Sequence, residues 1–311
     1  MGIETTEVLK VLHRPQREED AWLPEGLRIV RLGDRTRLGW VNIQTGANAA
    51  TGSIHLLDAT TCEHRRIDLD DRPGFFVDLG DGTAIVGTGK RLRQLNWITE
   101  ELTTVAGIDD SSPHTIINDG EPTPDGRAIV FGTKDTRFQE PIGCLYLYTC
   151  ADHRLTRLAD GMTCSNGKVL QSRVDGLYAL YDIDTPRKVV DRYELNIETR
   201  SLTHRGIAVD LRHRADFPDG MCAAWGDDLA AIAFYHPGEV SEGRAELFDL
   251  KTGKSLLRWL TPGSPRVTCP LLVPHPGGLN ELIVATAVEG MPQELRQHSP
   301  NAGCIFVSRV Q

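Results

Sequence analysis

An all-β, six-bladed propeller is the fold class this sequence predicts, and three observations point to it. Asp/Gly turns recur at an almost constant interval, each turn separates two apolar strand-like runs, and the pattern continues through all 311 residues without a linker. Asp-Gly between apolar runs is a hairpin signal, because such a turn needs a positive φ that glycine adopts without steric penalty.

The turns fall at residues 34, 81, 125, 175, 227 and 277, with gaps of 47, 44, 50, 52 and 50. Leu32-Gly33-Asp34 precedes Leu38–Val41, and Gly80-Asp81-Gly82 precedes Ala84–Val86. Pro124-Asp125-Gly126 precedes Ala128–Phe131, and Val174-Asp175-Gly176 precedes Leu177–Leu180. Gly226-Asp227-Asp228 and Pro276-Gly277-Gly278 close the series. A second hairpin follows each first one, as in Ser53–Asp58 with Arg65–Leu69, Leu145–Thr149 with Leu155–Leu158, and Ala245–Asp249 with Ser255–Trp259. Two hairpins make a four-stranded unit, and six units at a period near 50 make a propeller. The WD dipeptide is absent and a glycine pair occurs once, so neither the WD40 nor the kelch class is supported. A pair of β-sandwiches accommodates the strand count but not the even spacing. The last blade, near 268–310, shows three strands, so the N-terminal segment (residues 1–15, strand at Thr6–Leu12) is expected to supply the fourth and hide two sheet edges. Residues 1–311 are read as a single domain.

Composition narrows the partners. A net charge of −9 argues against nucleic-acid or anionic-membrane surfaces, which attract basic patches. No run of about 18 apolar residues exists to cross a membrane as a helix. Met1–Pro15 lacks the apolar core of a signal peptide, which leads to the expectation of a cytoplasmic protein, monomeric or a small homo-oligomer. Seven cysteines, an odd number with no C-x-x-C spacing, fit neither a disulfide framework nor a thiolate zinc site. No G-x-S-x-G, H-E-x-x-H, P-loop or dinucleotide fingerprint is present.

Four short segments carry the chemistry: Pro24-Glu25-Gly26, Asn118-Asp119-Gly120, Ser165-Asn166-Gly167 and Pro218-Asp219-Gly220-Met221. Glu25, Asn118, Asn166 and Asp219 lie nine, seven, nine and eight residues before the next turn. Taken singly, each reads as a turn in which a polar side chain bonds its own backbone. Their shared register places all four at the start of a blade's innermost strand, at one mouth of the axial channel. Two carboxylates and two amide oxygens form an all-oxygen set suited to Ca²⁺, Mg²⁺ or Mn²⁺, with Zn²⁺ or Fe²⁺ less natural without His or Cys. The equivalent positions in blades two and six, near Pro73-Gly74 and Cys269-Pro270, offer no ligand side chain. His114 stands four residues before Asn118, within reach of the same mouth as a proton shuttle.

These segments, with Gly126-Arg127, Gly132-Thr133 and the tail Ala302–Phe306, resemble the gluconolactonase/regucalcin family, which includes senescence marker protein-like and luciferin-regenerating enzymes. The similarity runs in order from about residue 20 to the end. It implies a six-bladed propeller with one axial divalent metal, Ca²⁺ foremost, held by Glu25, Asn166 and Asp219. It further implies a hydrolase that opens a sugar-acid lactone or related cyclic ester, with Asp219 as general base and Asn118 and Asp119 at the substrate. The chain departs from the family's substrate shell: Ile116 stands where an arginine is usual, and Lys134-Asp135-Thr136-Arg137 follows the Gly-Thr where an acidic residue is usual. Arg137 accordingly suggests an anionic or differently oriented ligand. A non-catalytic calcium- or ligand-binding propeller, or a metal enzyme of different chemistry on the same site, are the other readings these residues allow.

Overall fold

A computed structural model of the chain describes residues 5–226, 228–274 and 280–308. Asp227 of the fifth turn, and the turn expected around Gly277, lie outside the described residues, as do residues 1–4 of the closing segment. Six sheets, antiparallel except for one added edge strand, are arranged as the blades of a propeller, and among the described residues helix is confined to a 3-10 turn at Glu18–Ala21 and Gln293–His298. The innermost strands are Pro24–Leu32, Pro73–Asp78, Thr115–Pro122, Ser165–Ser172, Phe217–Ala223 and Val267–Pro274. Among the described residues no helix is long and apolar enough to cross a membrane.

The near-continuous apolar runs follow from burial of both faces of each sheet. In Leu229–Tyr235, Ala230, Ile232 and Phe234 pack toward blade four while Ala231 and Ala233 pack toward blade six. In Ala128–Asp135, Ile129 and Phe131 face blade two while Ala128 and Val130 face blade four. Among the described residues the apolar core divides into six clusters, one in each seam between neighbouring blades. The seam between blades six and one joins Leu27, Leu38 and Trp40 to Cys269, Ile283 and Ile305.

Ring closure is divided more finely than the single strand predicted over Thr6–Leu12. Lys10–His13 is the outer, fourth strand of blade six, antiparallel to Ile305–Val307. Thr5–Val8 instead runs parallel to the outer strand Lys254–Pro262 and becomes a fifth strand of blade five. Buried Leu9 marks the change of partner: its side chain joins the core between blades five and six, and its N–H donates to Leu260 O at 2.9 Å. One short segment thus covers two sheet edges belonging to different blades.

Beside this closure lies a stack of four rings. His13 of the closing strand packs on Trp40 and His64 of blade one at centroid distances of 5.6 and 5.1 Å, and Trp40 stacks on His55 and His64. His55 hydrogen-bonds Ser53 Oγ at 2.8 Å and His64 at 2.9 Å, with Asp20, Glu19, Arg17 and Arg66 around them. Burial, and then the neighbouring His64, lowers His13 to about 4 and His55 to about 2. Unfolded histidines titrate near ~6.5, so as pH falls below that value the unfolded chain takes up protons that the folded one refuses. The stability these rings contribute is complete above about pH 6.5 and declines as pH falls toward 4. Replacing His13 with Phe keeps a ring packed at a tilt against Trp40 and His64 and removes one titration. The expected outcome is a Tm that drops between pH 7 and pH 5 by about 3 °C less than in the wild type, read by differential scanning calorimetry. Parallel profiles would show that the closing strand does not sense protons.

Candidate functional site

The four predicted donors converge, and a backbone device explains how. Each of their strands loses register with its neighbour at the motif, between Glu25 and Arg28, Ile117 and Gly120, Ser165 and Lys168, and Pro218 and Met221. In each case two residues oppose one on the partner strand, which is a β-bulge. A bulge re-aims side chains that would otherwise alternate into the two seams. The glycines permit the crowding this creates. A Cβ on Gly220 would lie 2.6 Å from Thr268 O of the next blade, and one on Gly167 would lie 2.7 Å from Asp219 O. Glycine is required there by the approach of neighbouring backbones.

Glu25, Asn118, Asn166 and Asp219 line the floor of a cavity of about 390 Å³. Its wall comes from loops and strand ends and includes Leu23, Ile43, Phe138, Phe217, Tyr235 and Pro237. Thr185, Pro186, Cys164, Lys134 and Glu289 complete it. Asn166 Nδ2 donates to Asp219 Oδ1 and, at 3.1 Å, to Thr185 Oγ1, which in turn donates to Pro218 O at 2.9 Å. Asn118 Nδ2 donates to Ser165 O at 3.0 Å. With their nitrogens engaged, both amides keep Oδ1 for another partner.

Beneath the floor lies Lys168, fully buried. Its Nζ donates to Asn166 O at 2.6 Å and pairs with Asp182 Oδ1 at 3.1 Å, while Ser165 Oγ donates to the same oxygen at 2.8 Å. This network ties the backbone of the blade-four motif to the sheet below it.

Both floor carboxylates are buried, and among the described residues neither forms an ion pair. Among the described residues, Glu25 accepts only from Gly26 N, at 3.2 Å. Burial raises Glu25 well above the usual carboxylate range, helped by Asp219 and Asp119. Burial likewise pushes Asp219 up to about 7, with Glu289 and Asp119 adding to the rise and Lys134 and Asn166 opposing it. Two buried, uncompensated carboxylates beside two free amide oxygens fit a hard divalent cation, whose charge offsets their desolvation. Among the described residues no cluster of three His, Cys, Asp or Glu side chains forms an alternative site.

The other sequence-predicted residues stand elsewhere. Asp119 follows Asn118 across the bulge and turns away from the cavity, into a smaller space of about 160 Å³ with Gly26, Arg28, Glu121 and Cys269. Arg137 does not line the cavity: its guanidinium pairs with Asp135 at 3.0 Å and Glu140 at 3.3 Å. Asp135 also accepts from the N–H groups of Arg137, Gln139 and Glu140, so this arginine helps to fold the loop rather than facing the pocket. His114 and Ile116 are likewise absent from the lining. Lys134 and Phe138 flank Arg137 and do line the cavity, with the Lys134 ammonium 5.3 Å from the Phe138 ring centroid. The sequence signal for them was the same departing stretch in which Arg137 stood out. Phe217, Tyr235 and Glu289 carried no signal, because single residues at strand ends have no period.

Two outcomes follow for the protein in EDTA. A carboxyl raised to about 7, against ~3.9 unfolded, contributes stability that is complete below about pH 4 and lost as pH rises through 7. Asp219→Asn is therefore expected to exceed the wild type in Tm by about 3 °C or more at pH 8, with the gap closing toward pH 5. An Asp219→Asn protein less stable than wild type at pH 8 would contradict the uncompensated-charge account. Lys168→Met removes one partner of a buried pair and is expected to lower unfolding free energy by about 3–5 kcal/mol in urea titration.

Comparison with known proteins adds the following. The sequence model described as SMP-30/Gluconolactonase/LRE-like region matches residues 23–288. Regucalcin of Xenopus laevis is 27% identical over 255 residues, covering 80% of each chain, and that of Homo sapiens is 28% identical over 256 residues with the same coverage. Among solved structures, a calcium-binding protein, regucalcin, from Agrobacterium tumefaciens superposes with a TM-score of 0.80 at 19% identity, covering 99% of this chain and 96% of that one. A gluconolactonase from Xanthomonas campestris superposes with a TM-score of 0.65 at 16% identity, covering 97% and 89%. At such identities the structural likeness establishes the fold.

Proposed function

The chain belongs to the SMP-30/gluconolactonase/LRE-like family, and from that premise we propose that it is a divalent-metal-dependent hydrolase opening a sugar-acid lactone or a related cyclic ester. The observation that carries the reading is the pair of buried, unpaired carboxylates, Glu25 and Asp219, on the floor of a cavity of small-molecule size.

Glu25, Asn166 and Asp219 are the residues assigned to hold the cation, with Ca²⁺ expected from the all-oxygen set and Mg²⁺, Mn²⁺, Zn²⁺ and Fe²⁺ as the ions to compare. A divalent cation bound there supplies Lewis-acid polarisation of the ester carbonyl. The protein's part is orientation and proton transfer. Asn166, held by Thr185 and Asp219, presents its carbonyl oxygen and not its nitrogen. Asn118, tied to Ser165, presents Oδ1 to substrate or to a bridging water. Asp219 is the general base: a carboxylate oxygen accepts the proton as water adds to the carbonyl carbon, and the Asp219 carboxyl returns that proton to the ring oxygen as the carbon–oxygen bond breaks. The proposal includes a cytoplasmic setting and a monomer or small homo-oligomer.

The test is lactone hydrolysis by the protein stripped with EDTA and reloaded with each ion, followed with a pH indicator. Turnover is expected only in reloaded protein, with kcat/KM lowered by about 100-fold or more in Asp219→Asn and Glu25→Gln. Turnover unchanged in Asp219→Asn would remove this mechanism. Cation binding by calorimetry without turnover on any lactone would favour the calcium-binding reading, consistent with the regucalcin relatives.

A further inference from the structure

We propose that the guest of this cavity is an uncharged lactone or cyclic ester with an apolar body, in preference to a polyhydroxylated sugar lactone; this rests on the hydrolase reading above and narrows its substrate class. The floor is polar and the wall is not. Leu23, Ile43, Phe138, Pro186, Phe217 and Pro237 surround the space above the four donors.

The hydroxyl and amide donors of the lining are already committed to partners, and the Glu289 carboxylate remains as an acceptor in the wall. Thr185 Oγ1 donates to Pro218 O, and Tyr235 OH donates to Glu289 O at 3.0 Å. Asn118 and Asn166 have used their amide nitrogens on Ser165, Asp219 and Thr185. Among the described lining side chains, the Lys134 ammonium is the one nitrogen or oxygen donor without a hydrogen bond, and it lies against the Phe138 ring. A sugar lactone brings several hydroxyls that must each exchange water for a protein partner. Each hydroxyl left facing hydrocarbon weakens binding by about tenfold. An alkyl or aryl substituent meets no such penalty and gains from the apolar wall.

Phe138 points independently the same way. Its backbone is held at φ +56°, a left-handed conformation unusual for a bulky residue, and the residue lines the cavity while remaining 48% exposed. Phe138 N donates to Asp135 O at 2.9 Å, and the Asp135 carboxylate gathers the N–H groups of Arg137, Gln139 and Glu140 around it. The loop thus maintains a strained turn that presents an aromatic ring to the cavity. Backbone strain of this kind persists where the surroundings over-determine it. Charge agrees as well. Glu25, Asp219 and Glu289 face one Lys134, so a divalent cation brings the lining to balance, and an uncharged guest leaves it there.

The experiment measures hydrolysis by cation-loaded protein of dihydrocoumarin and γ-nonalactone against D-glucono-δ-lactone. Alongside, calorimetry measures binding of a non-hydrolysable alkyl δ-lactam against gluconolactam. The expected result is kcat/KM higher by about tenfold or more for the apolar lactones, and tighter binding of the alkyl lactam. Phe138→Ser is expected to raise KM for dihydrocoumarin by about fivefold more than it raises KM for gluconolactone. Gluconolactone processed as well as the apolar lactones would overturn this inference and leave the hydrolase reading intact. Absence of turnover on all three would overturn the hydrolase reading; the calorimetry then decides, since tighter alkyl-lactam binding upholds the apolar guest and equal or weaker binding rejects it.

Discussion

Every sheet in this molecule buries both faces, and that single constraint organises the rest. A blade whose two surfaces are apolar has no stable existence alone, so each must find a neighbour on either side and the row must close. The six seam clusters are the result, with the last of them joining the first blade to the sixth. Closure also explains why the N-terminal segment divides at Leu9. Two outer edges, one on blade five and one on blade six, lie within reach of a chain of nine residues, and covering both leaves fewer unpaired backbone groups than covering one.

The same constraint creates the site. Side chains on a regular inner strand alternate into the two seams and leave nothing for the axis. Only an irregularity turns one toward the channel, and the bulges at Glu25–Arg28, Ile117–Gly120, Ser165–Lys168 and Pro218–Met221 are that irregularity, repeated at one level. Polar residue and glycine are therefore two halves of one requirement: the first supplies the donor, the second lets the displaced backbone pass its neighbour.

This is why so much was legible in the sequence. Turn spacing reports the blade period directly, because hairpin turns have strict backbone demands that few residues meet. The donor positions were legible because they share a register with those turns. What the spacing could not convey was side-chain direction next to a bulge, where parity is reset. Asn118 and Asp119 are adjacent, yet one faces the cavity and the other the space beneath it. Lys134 and Arg137 belong to one short stretch, and the carboxylate of Asp135, buried between them, decides that the arginine folds inward and the lysine lines the pocket. Such choices depend on contacts between a loop and its own strand, which leave no periodic trace.

Floor and wall of the cavity obey opposite physical rules, and this separation allows one to change without the other. The floor is rigid: Lys168, Asp182 and Ser165 hold the Asn166 backbone from below, and the amide nitrogens are locked so that oxygens face the axis. Substitution there disturbs a buried charge network in which removing one member strands another. The wall is mixed: Leu23 and Ile43 belong to the core between blades one and two, whereas Phe138 stands on an exposed loop where a change costs the fold little. A loop residue such as Phe138 can therefore change without disturbing the four oxygen donors on the floor. On the proposed hydrolase reading, the floor sets which chemistry is available, and the composition of the wall sets which molecule stays long enough to undergo it.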